Sequence, residues 1–94
     1  MKPSKNHEKE MLIKALLSIE TDEECADFLE DLCTFKEIDS MAQRFQVARL
    51  LNEGKTFQEI VDKTGASTAT ISRVNRCLLY GNGGYEKIIE KLNN

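Results

Sequence analysis

TFQEIVDKTGASTATISRVNRCLLY, residues 56–80, reads as two short helices joined by a tight turn. Thr56-Phe-Gln-Glu59 has the pattern of a capping box, in which the Thr hydroxyl accepts from the amide three residues on and the Glu carboxylate reaches back. The first helix is expected to end before Gly65, because glycine adopts a left-handed corner without steric cost. Ala66 in the turn is small, so the two helices can approach closely. Ile60 and Val61 are expected to face inward on the first helix. Ile71, Val74 and Leu78 lie on one stripe of the second, which runs from about Ser67 to Tyr80. These features predict a helix-turn-helix over about residues 56–80.

The outward side of the second helix follows from the same wheel. With Ile71 at the centre of the buried side and about 100° per residue, Ala69, Ser72, Arg73 and Arg76 fall near the opposite side. The helix opens on Ser67, Thr68, Ala69 and Thr70, which leave its amino end slim. A slim end lets the backbone approach base edges in the major groove of DNA. Ser and Thr hydroxyls suit base edges or phosphates, the Ala and Thr methyls suit the thymine methyl, and the helix dipole favours phosphate there. Ser67 and Thr68 equally suit a plain capping role, and helix-turn-helix geometry also occurs in proteins that never touch DNA.

Outward from this unit, the chain reads as helices throughout. It has 94 residues, 31% of them charged and 40% hydrophobic, which suits one folded, soluble domain spanning 1–94 and excludes a disordered chain. A first helix is expected over about Asn6–Ile19, with Leu12, Leu16 and Ile19 on one stripe. Two more capping-box patterns, Thr21–Glu24 and Thr34–Glu37, open the next two helices. The second of these is the longest, with Ile38, Met41, Ala42, Phe45, Ala48 and Leu51 as its apolar stripe, and Gly54 ends it. Gly81-Asn-Gly-Gly84 reads as a flexible stop, followed by a last amphipathic helix carrying Tyr85, Ile88, Ile89 and Leu92. The fold class is therefore all-α with six helices. Long apolar stripes at both ends of so short a chain are hard to bury within one copy, which points to a homodimer.

Net charge is −3, but it is unevenly spread: residues 1–34 carry −5, residues 35–80 carry +2, and the tail balances. Cys25, Cys33 and Cys77 have no metal-ligand spacing and are expected as packed, reduced thiols of a cytoplasmic protein. The run Met11–Leu17 is broken by Lys14 and too short to span a membrane, and no signal peptide is read at the start. The glycine-rich stretch 81–84 lacks the strand and Lys of a phosphate loop. His7 is the single histidine and is not expected to belong to a metal-ligand set, and the acids at Asp22–Glu24 and Glu30–Asp31 are expected to form a solvated face. No nucleophile–base pair is evident, so neither an enzyme nor a cofactor or metal is expected.

The stretch DLCTFKEIDSMAQRFQVARLLNEGKTFQEIVDKTGASTATISRVNRCLLYGNGG, and above all GASTATISR and LLNEGKT, resembles the Trp repressor superfamily. The whole chain is similar to its YerC/YecD branch of small bacterial proteins. The resemblance implies an intertwined homodimer whose N-terminal and last helices interlock between chains. It also implies two recognition helices that meet successive major grooves of a roughly palindromic operator. In that family tryptophan is a corepressor held between two arginines, with a Thr at the start of the long helix taking part. By alignment those positions are Arg44, Arg73 and Thr34. Val74 stands where tryptophan binders have Gly, and Cys77 where they have Ser, a stronger partner for the ligand's amino group. Three extra carbons in a filled pocket cost about 1–3 kcal/mol, or about one to two decades of affinity. Tryptophan is therefore not expected as an effector. Gln58 replaces a basic DNA-contacting residue, which implies a different operator.

The reading that follows is a cytoplasmic, homodimeric DNA-binding transcriptional regulator, a repressor by resemblance. Ser67, Thr68, Ala69 and Thr70 would read bases, and Gln58, Ser72, Arg73 and Arg76 would contact phosphate or base edges of double-stranded DNA. The alternative is a helical dimer that works through protein partners, with the acidic N-terminal third as its surface.

Overall fold

A computed structural model describes residues 5–94, and among these residues the fold is all-α. Its helices are α1 (Lys5–Leu17), α2 (Asp22–Leu32), α3 (Phe35–Asn52), α4 (Phe57–Thr64), α5 (Thr68–Tyr80) and α6 (Gly84–Asn93). All six expected helices are present. The chain falls into two compact units, one through Ile38 and one from Asp39 to Asn94.

Capping chemistry sets most of the boundaries. At α4 both halves of the box form: Thr56 Oγ1 accepts from Glu59 N at 3.2 Å, and Thr56 N donates to Glu59 Oε2 at 2.9 Å. The same reciprocal pair joins Thr34 and Glu37 ahead of α3, at 2.8 and 3.1 Å. At α2 the box departs from expectation. Thr21 Oγ1 accepts from Glu24 N, but the Glu24 carboxylate accepts from Glu20 N and not from Thr21. α1 stops two residues before Ile19, because the amides of Ser18 and Ile19 close a tight last turn onto Ala15 and Leu16 and the Ser18 hydroxyl donates to Ala15 O.

The second unit owns the core. Val47, Ala48 and Leu50 of α3, Ile60 of α4, Ala66 of the turn, Ile71 and Val74 of α5 and Ile89 of α6 form one buried cluster. Phe45, Leu51, Val61, Leu78 and Tyr85 pack against it, and the Phe45 and Tyr85 rings stack with centroids 6.5 Å apart. Ile71 and Val74 are buried and Leu78 half-buried, as the wheel of α5 required. On α3 the expected stripe is only partly the buried one. Met41 and Ala42 are exposed, while Val47 and Leu50, outside that stripe, are buried. Apolar residues lie on more than one side of α3, and the core takes the arc around Val47 and Leu50.

Unit 1 is built differently. None of its described residues is buried. α1 is not one-sided as expected: its first half is polar, and its second half carries Met11, Leu12, Ile13, Ala15, Leu16 and Leu17 around the whole circumference. Five of these are exposed, Leu17 at 80%. The acids of α2 are exposed, as expected for a solvated face, and Cys25 and Cys33 are half-buried free thiols.

Two tests follow. The Thr34 backbone amide, then its hydroxyl, holds the Glu37 carboxyl below its ordinary value of 4.5. Folding gains from this contact fully above that ordinary value and loses the gain as pH falls through the lower folded value. An NMR titration of Glu37 should therefore show a depressed midpoint, moving part of the way back in Thr34→Ala, which keeps the amide and loses the hydroxyl. The second test concerns Gly81, whose N–H closes α5 onto Cys77 O at 2.8 Å. A Cβ at position 81 would collide with that same carbonyl oxygen. Gly81→Ala should destabilise the fold by about 1–3 kcal/mol in urea unfolding, because backbone must shift.

Candidate nucleic-acid interface

The turn between α4 and α5 is fastened at several points. Gly65 caps α4 in the left-handed conformation, φ 72°, and donates its N–H to Val61 O at 2.9 Å. Only glycine takes this φ freely. Thr64 pegs the turn from the side: its hydroxyl donates to Ile60 O at 2.7 Å and accepts from Ala66 N at 3.1 Å. Gln43 of α3 donates from Nε2 to Thr64 O at 3.3 Å, tying the long helix to the end of α4. Sequence reasoning missed both Thr64 and Gln43. A Thr directly before the turn glycine was the available signal for the first, while nothing local marks a contact between residues 21 apart for the second.

Ser67 is the N-cap of α5, its Oγ accepting from Thr70 N at 3.1 Å and donating to Thr70 Oγ1 at 3.0 Å. Those two hydroxyls are thus tied to each other, and Thr70 is half-buried. Thr68, Ala69, Ser72, Arg73 and Arg76 are exposed, as the wheel required. Gln58, also exposed, lies on α4 and donates from Nε2 to Asp62 Oδ1 at 2.9 Å, which leaves its carbonyl oxygen and one amide hydrogen for other partners. The arrangement is a slim helix end with one dipole's worth of positive potential and two arginines further along the same outward side. Such a surface suits a polyanion read at its edges.

The five residues of the possible effector pocket divide differently. Thr34 lies in unit 1 and spends both its hydroxyl and its amide on Glu37. Arg44, Arg73, Val74 and Cys77 lie in unit 2. Arg44 is half-buried and Arg73 exposed, while Val74 is 1% exposed and belongs to the core cluster. Cys77, expected to be packed, is an exposed free thiol. The glycine stretch 81–84 serves as the link between helices: Gly81 caps α5 and Gly83, with φ 78°, precedes α6. No helix among the described residues is long and apolar enough to cross a membrane.

Comparison with known proteins agrees with the all-helical fold. A protein of Bacillus subtilis, the uncharacterised YerC, is 53% identical over 85 residues, covering 90% of this chain and 82% of the relative. A Trp operon repressor homologue of Chlamydia caviae is 37% identical over 76 residues, covering 80% and 75%. The crystal structure of a TrpR-like protein from Eubacterium eligens superposes with a TM-score of 0.86 at 55% identity, covering 89% of this chain and 87% of that one. The family described as Trp repressor protein matches residues 7–93. With a family match along nearly its whole length and relatives of this similarity, the chain belongs to the Trp repressor family.

Proposed function

We propose that this chain is a cytoplasmic, homodimeric transcriptional regulator that binds double-stranded DNA sequence-specifically, acts as a repressor and needs no tryptophan. The observation that carries the reading is the exposed, capped amino end of α5, where Thr68 and Ala69 are free of bulk and Ser72, Arg73 and Arg76 are exposed further along. Family membership supports it, since the Trp repressor fold is a regulatory and not a catalytic one. Thr68 and Ala69 read base edges through their methyls and the Thr68 hydroxyl. Ser67 and Thr70 hold the helix end in shape and offer what lone pairs their mutual bond leaves. Gln58, Ser72, Arg73 and Arg76 contact phosphate or outer base edges. Two copies place these surfaces on half-sites about 34–36 Å apart, the spacing general to helix-turn-helix dimers, the Trp repressor among them. All of residues 1–94 then act as one functional domain, because unit 1 has no buried residue of its own among those described.

The independence from tryptophan rests on Val74, whose side chain is part of the core. The rival reading, a dimer acting through protein partners, is favoured by one observation: α2 carries six acids and no base, all six exposed.

Sites selected from a random DNA pool should bind with the logarithm of affinity falling against the logarithm of salt at a slope of about −4 to −5, for about four to six neutralised phosphates. Arg76→Ala should weaken all sites alike and reduce that slope by about one, whereas Thr68→Ala should relax preference at one position. Added tryptophan should leave the affinities unchanged. A flat salt response, or no selected site, points to protein partners. Folding measurements separate the cap from the reading residues. Ser67→Ala should cost about 1 kcal/mol of stability, and Thr68→Ala should stay within about 0.5 kcal/mol of the parent in the same urea titrations.

A further inference from the structure

The amino end of α5 is the part of the candidate surface least held by packing. Ser67, Thr68 and Ala69 are exposed and Thr70 half-buried, and they lie between two buried residues, Ala66 at 2% and Ile71 at 0% exposure. Ile71 is held in the core by a full side chain, Ala66 by a single methyl. Just before Ala66 stands Gly65, left-handed at φ 72°, the residue type with the widest choice of backbone conformation. One side of this segment is therefore anchored by packing, and the other ends on a hinge. Hydrogen bonds pin that hinge. The Thr64 hydroxyl accepts from Ala66 N at 3.1 Å and gives its one proton to Ile60 O at 2.7 Å, so a single oxygen ties the connection to the last turn of α4. Gln43 Nε2 donates to Thr64 O at 3.3 Å, which extends the tie to α3. Gln43 and Thr64 are both half-buried.

We infer that Gln43 and Thr64 are positioning residues for base reading: they hold Ala66, and through it the start of α5, where Thr68 and Ala69 need it. The inference rests on the DNA reading of the proposed function and adds two residues that set its specificity from outside the contact surface. The physical ground is a difference between two kinds of contact. Attraction of Arg73 and Arg76 to phosphate is sequence-independent and tolerates a small shift of the helix. Contacts to base edges need their groups held within about 0.5 Å. A start of α5 that swings on Gly65 must be brought to rest on binding, which lowers affinity for the correct site. The same swing leaves non-specific attraction as it was. Gln43 and Thr64 thus act on the ratio of specific to non-specific affinity, whereas a packing role would act on stability alone.

The test measures binding of the full chain to two duplexes, one carrying the site that the parent selects from a random pool and one with that site scrambled, beside urea unfolding of each protein. Thr64→Val removes the hydroxyl and keeps the branched shape, Thr64→Ser keeps the hydroxyl, and Gln43→Met keeps the length and loses the donor. Thr64→Val and Gln43→Met should each bind the selected site about two- to tenfold more weakly, the scale of one hydrogen bond. Both should match the parent on the scrambled duplex and in salt slope, and Thr64→Ser should match it on both duplexes. Equal weakening on the two duplexes overturns the inference, as does a Thr64→Ser as weak as Thr64→Val. An unchanged affinity for the selected site also overturns it and leaves the DNA reading standing, since the bonds then serve the fold alone. If Thr64→Val does not fold, Gln43→Met decides by the same measurements. A parent that selects no site overturns the DNA reading together with the inference.

Discussion

The close approach of α4 and α5 at Gly65–Ala66 is the constraint on which the rest depends. Ile60 and Ile71 are completely buried and Ala66 nearly so. Such an approach requires a left-handed residue at the corner and a methyl at most beside it. Truncating a buried Ile typically costs about 2–5 kcal/mol, whereas losing a helix cap costs about 1. Packing therefore fixes the angle at which α5 leaves the turn, and the caps at Thr56 and Ser67 only trim where each helix begins. Because Ile71 and Val74 must face the core, Ala69, Ser72, Arg73 and Arg76 have no choice but to face away from it. The candidate DNA surface is the complement of the core.

That complementarity explains why this part of the fold was legible in the sequence. A helix with one apolar stripe declares both its faces, and α5 has one such stripe. The ends of α3 and α4 were legible for a different reason: a Thr and a Glu at fixed spacing compete for the same few unsatisfied amides, so the pattern has nearly one outcome. Where more than one outcome existed, the pattern misled. The Glu24 carboxylate had two amides within reach and took that of Glu20. α3 has apolar residues on several sides, so its heptad-like steps picked Met41 and Ala42 when the core used Val47 and Leu50. α1 has no stripe at all in its second half. At the site itself, exposure was legible and side-chain bonding was not. The bond between the hydroxyls of Ser67 and Thr70 depends on rotamers, which no spacing reveals.

An acidic chain is an unexpected candidate for a polyanion, but net charge is the wrong measure. At physiological salt, exposed charges are screened beyond about 8 Å. What a phosphate would meet on the proposed reading is the local field: the amides at the start of α5, then Arg73 and Arg76 along it. The sequence from Asp39 onward is net positive, and the excess of acids lies in the sequence before it. On the proposed reading, an uneven spread of this kind keeps most of the acids outside the stretch that carries the nucleic-acid surface, although Asp62, bonded to Gln58, lies beside it.

On the proposed reading, Val74 is the position that would decide what this fold responds to. A side chain that is 1% exposed and packed among Val47, Ile71 and Ile89 already has its contacts. A ring stacked between arginines needs an open floor, and a β-branched residue at the floor position removes the opening. Admitting an indole there would mean turning Val74 out of the core, leaving a cavity behind it and forcing the valine methyls into a space the ligand also claims. Either displacement costs on the order of 1–3 kcal/mol, comparable to the whole discrimination a small hydrophobic pocket achieves. On the proposed reading, a valine where tryptophan binders carry glycine would put a permanent contact between helices in place of a ligand-gated one. A helix whose Ile71 and Val74 are held in the core keeps its place by packing alone, with no effector called for.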